Sequence, residues 1–268
     1  PHILNLVDDE TEVVRNHVFK DLTDYGLDLE SDLFEFTEII DKKNIEMIDP
    51  ILKNNRRKWL KINWSKWFDI TDEYEKIETA MSLISKFQLG SYQRVTLSKR
   101  LDQIAEDFKN RYPYGNELDL SNYIFHVLDL RGSKKDYYSP LNSNLYYTIE
   151  IGEGLPITLA LIFILVGERL GLNVSGCNFP GHFMAKVKID DELLLIDCFN
   201  NGRIIFESEF NSLNSDSYES VLKIINSEID SETIIKRVLR NLINAYKEKK
   251  DAPNLHMISE LLTTSPWK

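Results

Sequence analysis

Cysteine and glycine are scarce in this sequence. Its 268 residues include 2 cysteines and 11 glycines. Two cysteines cannot form a disulfide framework or a four-cysteine zinc site, and they suit a reducing compartment, so we expect a cytoplasmic protein. Neither a glycine-rich phosphate loop nor a Gly-x-Ser-x-Gly elbow is present, which argues against nucleotide-binding and serine-hydrolase classes.

Long apolar runs are also missing. The longest predominantly apolar stretch without a charged residue is the 14-residue segment Gly154–Gly167, whereas a membrane-spanning helix needs about 20. No basic segment followed by an apolar run opens the chain, so a secretory leader is not expected. The sequence therefore predicts no membrane partner.

Positive charge is the minority. The chain has 32 Lys and Arg residues against 43 Asp and Glu residues, a net charge of −11, and phosphate repulsion over such a surface disfavours general nucleic-acid binding. Three of the five histidines (His17, His126 and His256) stand alone, without carboxylate or Cys at ligand spacing. We therefore expect neither a metal nor a cofactor.

Hydrophobic residues make up 43% of the chain and charged residues 28%, which indicates a packed core. Apolar residues at helical spacing predict helices at 14–25, 33–40, 51–68, 74–87, 97–108, 120–130, 157–170, 217–225, 232–247 and 254–262. Period-two patterns predict strands at Asn173–Phe179, His182–Ile189, Glu192–Phe199 and Arg203–Phe206.

This order predicts an α+β fold with a helical N-terminal layer, one buried helix against a small antiparallel sheet, and a helical C-terminal hairpin. The predicted divisions are a repeat-like helical region at 1–90, a core at 91–231 and a helical pair at 232–268.

One pair of residues in the predicted sheet could support catalysis. A two-residue turn at 190–191 pairs Ile189 with Glu192, so His182 and Asp197 become diagonal neighbours on one face, with Cα atoms about 7–8 Å apart. A His oriented by a carboxylate is half of a nucleophilic triad. The same pair can simply satisfy a half-buried His, and spacing alone favours that interpretation.

Five motifs make the chain resemble a known family. They are YYSPLNS (137–143), GLPITL (154–159), RLGL (169–172), PGHF (180–183) and IDCFN (196–200). In this order they resemble the bacterial transglutaminase-like core-2 family, the SirB-type proteins, and the best match runs from about 120 to 205. The sequence departs from the family pattern at Tyr146, where Asn is expected, and at Cys198 and Asn201, where Pro and Gly are expected.

The resemblance implies a papain-like arrangement, in which a Cys at the start of a central helix faces a His–Asp pair on a sheet. The position that aligns with this Cys is Pro156, while His182 and Asp197 align with the base and its orienting carboxylate. The chain therefore resembles a pseudoenzyme. Thr158 is the nearest hydroxyl and would point away from the helix start.

The favoured interpretation is a non-catalytic binding or scaffold protein with an unidentified protein partner. The alternative is an acyl transferase or amide hydrolase that uses His182 and Asp197 with Cys177 or an activated water. A third possibility is a helical-repeat adaptor that binds through residues 1–90. At the other end of the chain, the segments 237–249 and 254–264 resemble a tetratricopeptide unit.

The segment Lys53–Lys66 is locally basic and contains several tryptophans. Such a pattern can bind nucleic acid. It is more typical of an amphipathic helix that buries Leu60, Trp64 and Trp67 and pairs its cations with acidic neighbours, and we predict that it binds no nucleic acid.

Overall fold

The fold is mostly helical. The computed structural model describes residues 2–26, 28–35, 42–190, 192–206, 208–209 and 215–267. In these ranges the helices are α1 (Glu12–Tyr25), α2 (Asp28–Glu35), α3 (Lys42–Asn63), α4 (Glu73–Leu89), α5 (Leu97–Arg111), α6 (Glu117–Asn122), α7 (Leu145–Ile151), α8 (Pro156–Arg169), α9 (Ser215–Asn226), α10 (Ser231–Glu248) and α11 (Ala252–Thr264). Short 3-10 turns lie at His2–Leu6, Trp64–Trp67, Gly90–Tyr92, Pro140–Ser143 and Cys198–Asn200, and a π-helical turn lies at Tyr123–Val127.

The described strands form two sheets. They are β1 (Arg131–Gly132), β2 (Glu153–Gly154), β3 (Val174–Cys177), β4 (Met184–Ile189), β5 (Glu192–Asp197) and β6 (Arg203–Phe206). β1 and β2 form a short parallel pair, and β3 to β6 form an antiparallel sheet in sequence order. The predicted α+β class is confirmed.

The central hairpin has the predicted register. Ile189 pairs with Glu192, and this pairing fixes the face of every other residue in both strands because side chains alternate. β6 has the predicted bounds, and the other three strands are shorter than predicted. Residues 178–183 form the connection between β3 and β4, and Asp197 caps the 3-10 turn that follows β5. Asp191, half of the predicted turn, lies outside the described residues.

Helix α8 lies at the centre of the core. Every residue from Pro156 to Gly167 is buried, and proline suits the first helical position because no N–H is needed there. α8 packs against α5, α7, β3 and β4. Apolar residues at alternate strand positions, such as Val187 and Ile196, join it in the main core. The predicted buried helix is therefore confirmed.

The N-terminal helices differ from the prediction in their bounds. α3 begins at Lys42 and continues through Pro50, although proline costs a helix one backbone hydrogen bond. Ile48 and Leu52 are buried on either side of Pro50, so tertiary packing compensates for the lost bond. α2 ends at Glu35, and the remaining residues of the predicted helix at 33–40 lie outside the described ranges.

Two apolar clusters meet at α3. Leu52 belongs to a small cluster with residues of α1 and α2, whereas Leu60 belongs to the main core, which extends to Leu261 in α11. The first helices and the main core are thus joined by one continuous helix. The domain boundaries at 90 and 231 stay predictions.

The C-terminal helices form a hairpin. α10 begins after Asp230, whose side chain accepts a hydrogen bond from the N–H of Thr233. α10 packs against α11, α4 and the 3-10 turn at 140–143. Among the helices that the structure describes, none has the length and apolar character needed to cross a bilayer.

Candidate functional site

A tight turn brings His182 into the site. The N–H of His182 donates to the carbonyl of Phe179 at 3.1 Å, and Gly181 has φ of 75°. Pro180 followed by a glycine in the left-handed region is the signature of a type II turn. The dipeptide Pro180–Gly181 thus closes the β3–β4 hairpin and places His182 directly before β4.

Asp197 is positioned by the other end of the hairpin. It ends β5 and caps the following 3-10 turn. Its Oδ1 accepts from the backbone N–H of Asn200 at 3.2 Å, and its Oδ2 accepts from the side-chain amide of Asn200 at 2.8 Å. Asn201 has φ of 57°, a region that Asn tolerates better than other non-glycine residues. The loop therefore closes although Asn201 stands where the family pattern has Gly.

The structure brings His182 and Asp197 together. Nε2 of His182 lies 2.7 Å from Oδ1 of Asp197, with the side chains 29% and 10% exposed. A neutral imidazole with a proton on Nε2 has an unprotonated Nδ1, which can act as a base or acceptor. The ring of Phe199 meets the imidazole edge-on at 6.2 Å between centroids.

The carboxylate of Asp197 is kept ionised by its hydrogen bonds. Burial alone would raise its pKa, but the hydrogen bonds from His182 and Asn200 outweigh that effect and hold the pKa of Asp197 below its usual value. The pair therefore has the electrostatics that orient an imidazole in acid–base chemistry.

Both cysteines lie in apolar surroundings. Cys177 ends β3 and packs with Met184, Leu195 and Ile225, and Cys198 lies in the main core. Both have free thiols and no exposed surface. Burial raises the pKa of each thiol above its usual value. Cys198 was expected on a strand and instead lies in the 3-10 turn that follows β5.

The start of α8 is held by one backbone carbonyl. The carbonyl of Asn142 accepts from the N–H of Leu155 at 3.0 Å and from Oγ1 of Thr158 at 2.8 Å. Pro156 and Thr158 are buried. The hydroxyl of Thr158 is thus already engaged in a structural hydrogen bond.

Sequence reasoning missed two residues near the His–Asp pair, Tyr137 and Arg237. Tyr137 packs edge-on against Phe199 at 6.2 Å between centroids. Arg237 in α10 donates from Nη1 to the carbonyl of Phe179 at 3.3 Å, the same oxygen that accepts from His182. The YYSPLNS motif contains Tyr137 and could have indicated it, whereas Arg237 carried no local signal.

Three of the six cations of the basic segment, Lys53, Arg56 and Lys61, form the predicted pairs with acidic residues. Arg56 forms a bidentate ion pair with Glu30, and Lys61 pairs with Glu260. The tryptophans at 64 and 67 are buried in the core. Within the described ranges, no group of three or more His, Cys, Asp or Glu side chains is placed to hold a metal ion.

Comparison with known proteins identifies the core. Residues 96–240, just over half of the chain, match the family model described as Transglutaminase-like superfamily, core 2. The chain belongs to this superfamily. The matched segment contains the His182–Asp197 pair, Cys177, Tyr137 and Arg237. The transglutaminase-like core thus extends from α5 into α10.

Curated relatives match about half of the chain. A UPF0162 protein of Xylella fastidiosa (strain Temecula1 / ATCC 700964) is 36% identical over 133 residues, 47% of each chain. F-box only protein 21 of Mus musculus is 26% identical over 142 residues, 49% of this chain and 22% of that protein. A UPF0162 protein of Haemophilus influenzae is 24% identical over 136 residues, 48% of this chain and 50% of that protein.

These alignments span about half the length of the bacterial relatives and about a fifth of the mouse protein. No solved structure matches the chain significantly. The family assignment therefore rests on the match at residues 96–240, and the similar UPF0162 proteins are bacterial.

Proposed function

We propose that this chain is a pseudoenzyme: a non-catalytic binding or scaffold protein that uses a transglutaminase-like core to bind a protein partner. The observation that carries this proposal is the burial of both thiols, Cys177 and Cys198, in apolar packing. Transfer through a cysteine requires a thiolate within hydrogen-bond reach of a base. Free thiols also suit a reducing cytoplasm, which is the location we propose.

The start of α8 supports the same proposal. The family resemblance aligns Pro156 with the catalytic Cys of papain-like enzymes, and a helix start stabilises a thiolate through its dipole and unpaired N–H groups. Proline offers no nucleophile, and Pro156 is buried. In this proposal His182 and Asp197 are retained for structure and ligand binding.

Cys177, five residues before His182 in the sequence, is the alternative cysteine nucleophile. Burial raises the pKa of its thiol, although the positive charges of Lys186 and Arg237 oppose that effect. A thiol with a raised pKa is protonated near neutral pH and reacts slowly.

Exposed aromatic side chains support a binding role. Tyr137 and Tyr138 are 42% and 50% exposed, and they contact each other edge-on beside Phe199. Exposed aromatic rings next to an ordered polar pair are typical of recognition surfaces in protein complexes.

The alternative is an acyl transferase or amide hydrolase in which His182 activates Cys177 or a water. The 2.7 Å bond between His182 and Asp197 favours it, because that geometry orients a catalytic imidazole. The pseudoenzyme proposal and the cysteine form of the alternative differ in the state of the Cys177 thiol.

Alkylation by iodoacetamide separates these proposals. Site-resolved mass spectrometry would follow Cys177 and Cys198 from pH 5 to pH 9 in the intact protein and in His182→Ala. We expect slow alkylation of both thiols in both proteins, with the rate rising only at alkaline pH. Rapid alkylation of Cys177 below pH 7 that slows sharply in His182→Ala would contradict the pseudoenzyme proposal and support the hydrolase.

A further inference from the structure

Arg237 is anchored at one corner of its guanidinium group. Nη1 donates to Oδ1 of Asn178 and, at 3.3 Å, to the carbonyl of Phe179. The guanidinium carbon lies 5.4 Å from the ring centroid of Phe183. A face stacked on an aromatic ring and a corner held by two oxygens fix the orientation of the group.

The opposite edge of the guanidinium is open. Nε and Nη2 lie along one edge of the planar group and can bind both oxygens of one carboxylate. Among the residues that the structure describes, none accepts a hydrogen bond from Nε or Nη2 of Arg237. Neither atom is fully buried. Both atoms are therefore at least partly exposed, in a side chain of intermediate burial.

Other arginines of this chain show what that edge binds. In Arg56, Nε and Nη2 both donate to the carboxylate of Glu30. In Arg169, Nε donates to Asp102 at 2.6 Å and Nη2 to Glu78 at 2.7 Å. Within the described part of the chain, that edge of Arg237 has no carboxylate partner. Burial lowers the pKa of Arg237, so an anion would offset the cost of its partial desolvation.

The open edge lies beside the candidate site. Arg237 and the N–H of His182 share the carbonyl of Phe179 as acceptor. Tyr137 is close enough to Arg237 for the positive charge of Arg237 to oppose the rise that burial causes in the pKa of Tyr137. Tyr137 contacts Phe199, and Phe199 contacts the imidazole of His182. Arg237, Tyr137, Phe199 and His182 thus form one contiguous group, hereafter the Arg237 group.

We propose that the open edge of Arg237 binds a carboxylate of the protein partner, with the partner chain lying against the aromatic members of the Arg237 group. This inference deepens the proposed function and rests on it for the nature of the partner. The two oxygens of a planar carboxylate match the Nε and Nη2 donors. The net charge of −11 repels a dianionic phosphate more strongly than a monoanionic carboxylate.

The carboxylate has two possible sources, an acidic side chain or a chain end. Titration of the full chain with small probes distinguishes these sources. The Nε–H resonance of Arg237 in a 1H–15N NMR spectrum reports binding of each probe. N-acetylglycine mimics a chain end, and N-acetylglutamate α-amide mimics an internal Glu. N-acetylglycinamide is the neutral control, and inorganic phosphate is the competing anion.

We expect at least one carboxylate probe to shift the Arg237 resonance saturably, and the neutral amide to leave it unchanged. Binding of that probe, followed on neighbouring backbone resonances, weakens at least about tenfold in Arg237→Gln and Arg237→Lys. The matched control Arg240→Gln, an exposed arginine on the same helix, leaves it unchanged.

Three results would each overturn the inference. They are equal shifts with the carboxylate and amide probes, tighter binding of phosphate than of either carboxylate, and undiminished binding of the carboxylate probe by Arg237→Gln. The wild-type comparison of carboxylate with amide does not depend on how any variant folds. Failure here with unreactive thiols refutes only the carboxylate site. An activated Cys177 refutes the proposed function whatever the probes do.

Discussion

The backbone of Gly132 lies directly against the ring of Phe199. A Cβ atom at position 132 would lie 2.5 Å from Cδ2 of that ring, closer than packed carbon atoms approach. Gly132 belongs to the short parallel pair of β1 and β2, and Phe199 contacts the imidazole of His182. The short sheet therefore supports the candidate site through a single ring.

We expect Gly132→Ala to displace Phe199 and to destabilise the protein by about 1–3 kcal/mol, as overpacking does. The free energy of unfolding in urea measures the loss. The double variant Gly132→Ala/Phe199→Leu is the matched control, because a smaller side chain makes room for the methyl group. If the double variant is as unstable as the sum of the single variants, the two residues are not coupled.

The left-handed backbone of Asn201 leads to a second prediction. Its φ of 57° is accessible to Asn and Gly but costs a β-branched residue about 1–2 kcal/mol. We expect Asn201→Val to lower the free energy of unfolding by that amount, and Asn201→Gly to change it by less than about 0.5 kcal/mol. Equal effects of the two substitutions would contradict this account of the loop.

The hairpin could be predicted from the sequence because its geometry is local. A two-residue turn and a period of two fix which residues share a face, so the relation between His182 and Asp197 followed from residue numbers. The buried helix α8 was equally local, since its apolar residues surround the whole helix. Alternation could not show where the strands end. Residues 178–183 belong to the connection that contains the Pro180–Gly181 turn, and residues 198–200 belong to the 3-10 turn capped by Asp197.

Arg237 could not be predicted in the same way. It reaches the site only because α10 packs beside the β3–β4 turn, and its partners Asn178 and Phe179 are far away in sequence. The path of α3 through Pro50 has a similar cause, since burial of Ile48 and Leu52 overrides a local preference. Contacts between distant segments decide both features, and a single sequence does not display them.

The basic segment leads to a third prediction. Lys53 pairs with Asp49, and Arg56 and Lys61 pair with Glu30 and Glu260, so much of the local positive charge is neutralised. We expect no salt-sensitive binding of single-stranded or duplex oligonucleotides at micromolar protein in fluorescence anisotropy at low salt.

The exposed cations Lys58 and Lys66 provide the variant for that experiment. The double variant Lys58→Glu/Lys66→Glu should give the same anisotropy as the unmodified chain. Micromolar binding that weakens steeply with salt and disappears in the double variant would show a nucleic-acid site instead.

The carboxylate of Asp197 leads to the last prediction, a pH-dependent stability. Its folded-state pKa is lowered, because the hydrogen bonds from His182 and Asn200 outweigh the effect of burial. A group with a lowered folded-state pKa stabilises the fold above its unfolded-state pKa of about 3.9. That stabilisation is lost as the pH falls through the folded-state value.

We therefore expect Asp197→Asn to cost about 1–3 kcal/mol at pH 7, because the buried hydrogen bonds lose their charged acceptor. The cost should begin to shrink below about pH 4, where the carboxyl of the unfolded chain takes up a proton while that of the folded protein, with its lowered pKa, stays ionised. Urea unfolding at pH 7, 5 and 3.5 measures it, with the exposed residue Asp107 changed to Asn as the matched control. A cost that stays the same at pH 3.5 would mean that Asp197 supports the fold through shape and neutral hydrogen bonds, and that its charge does not hold the imidazole of His182 in place.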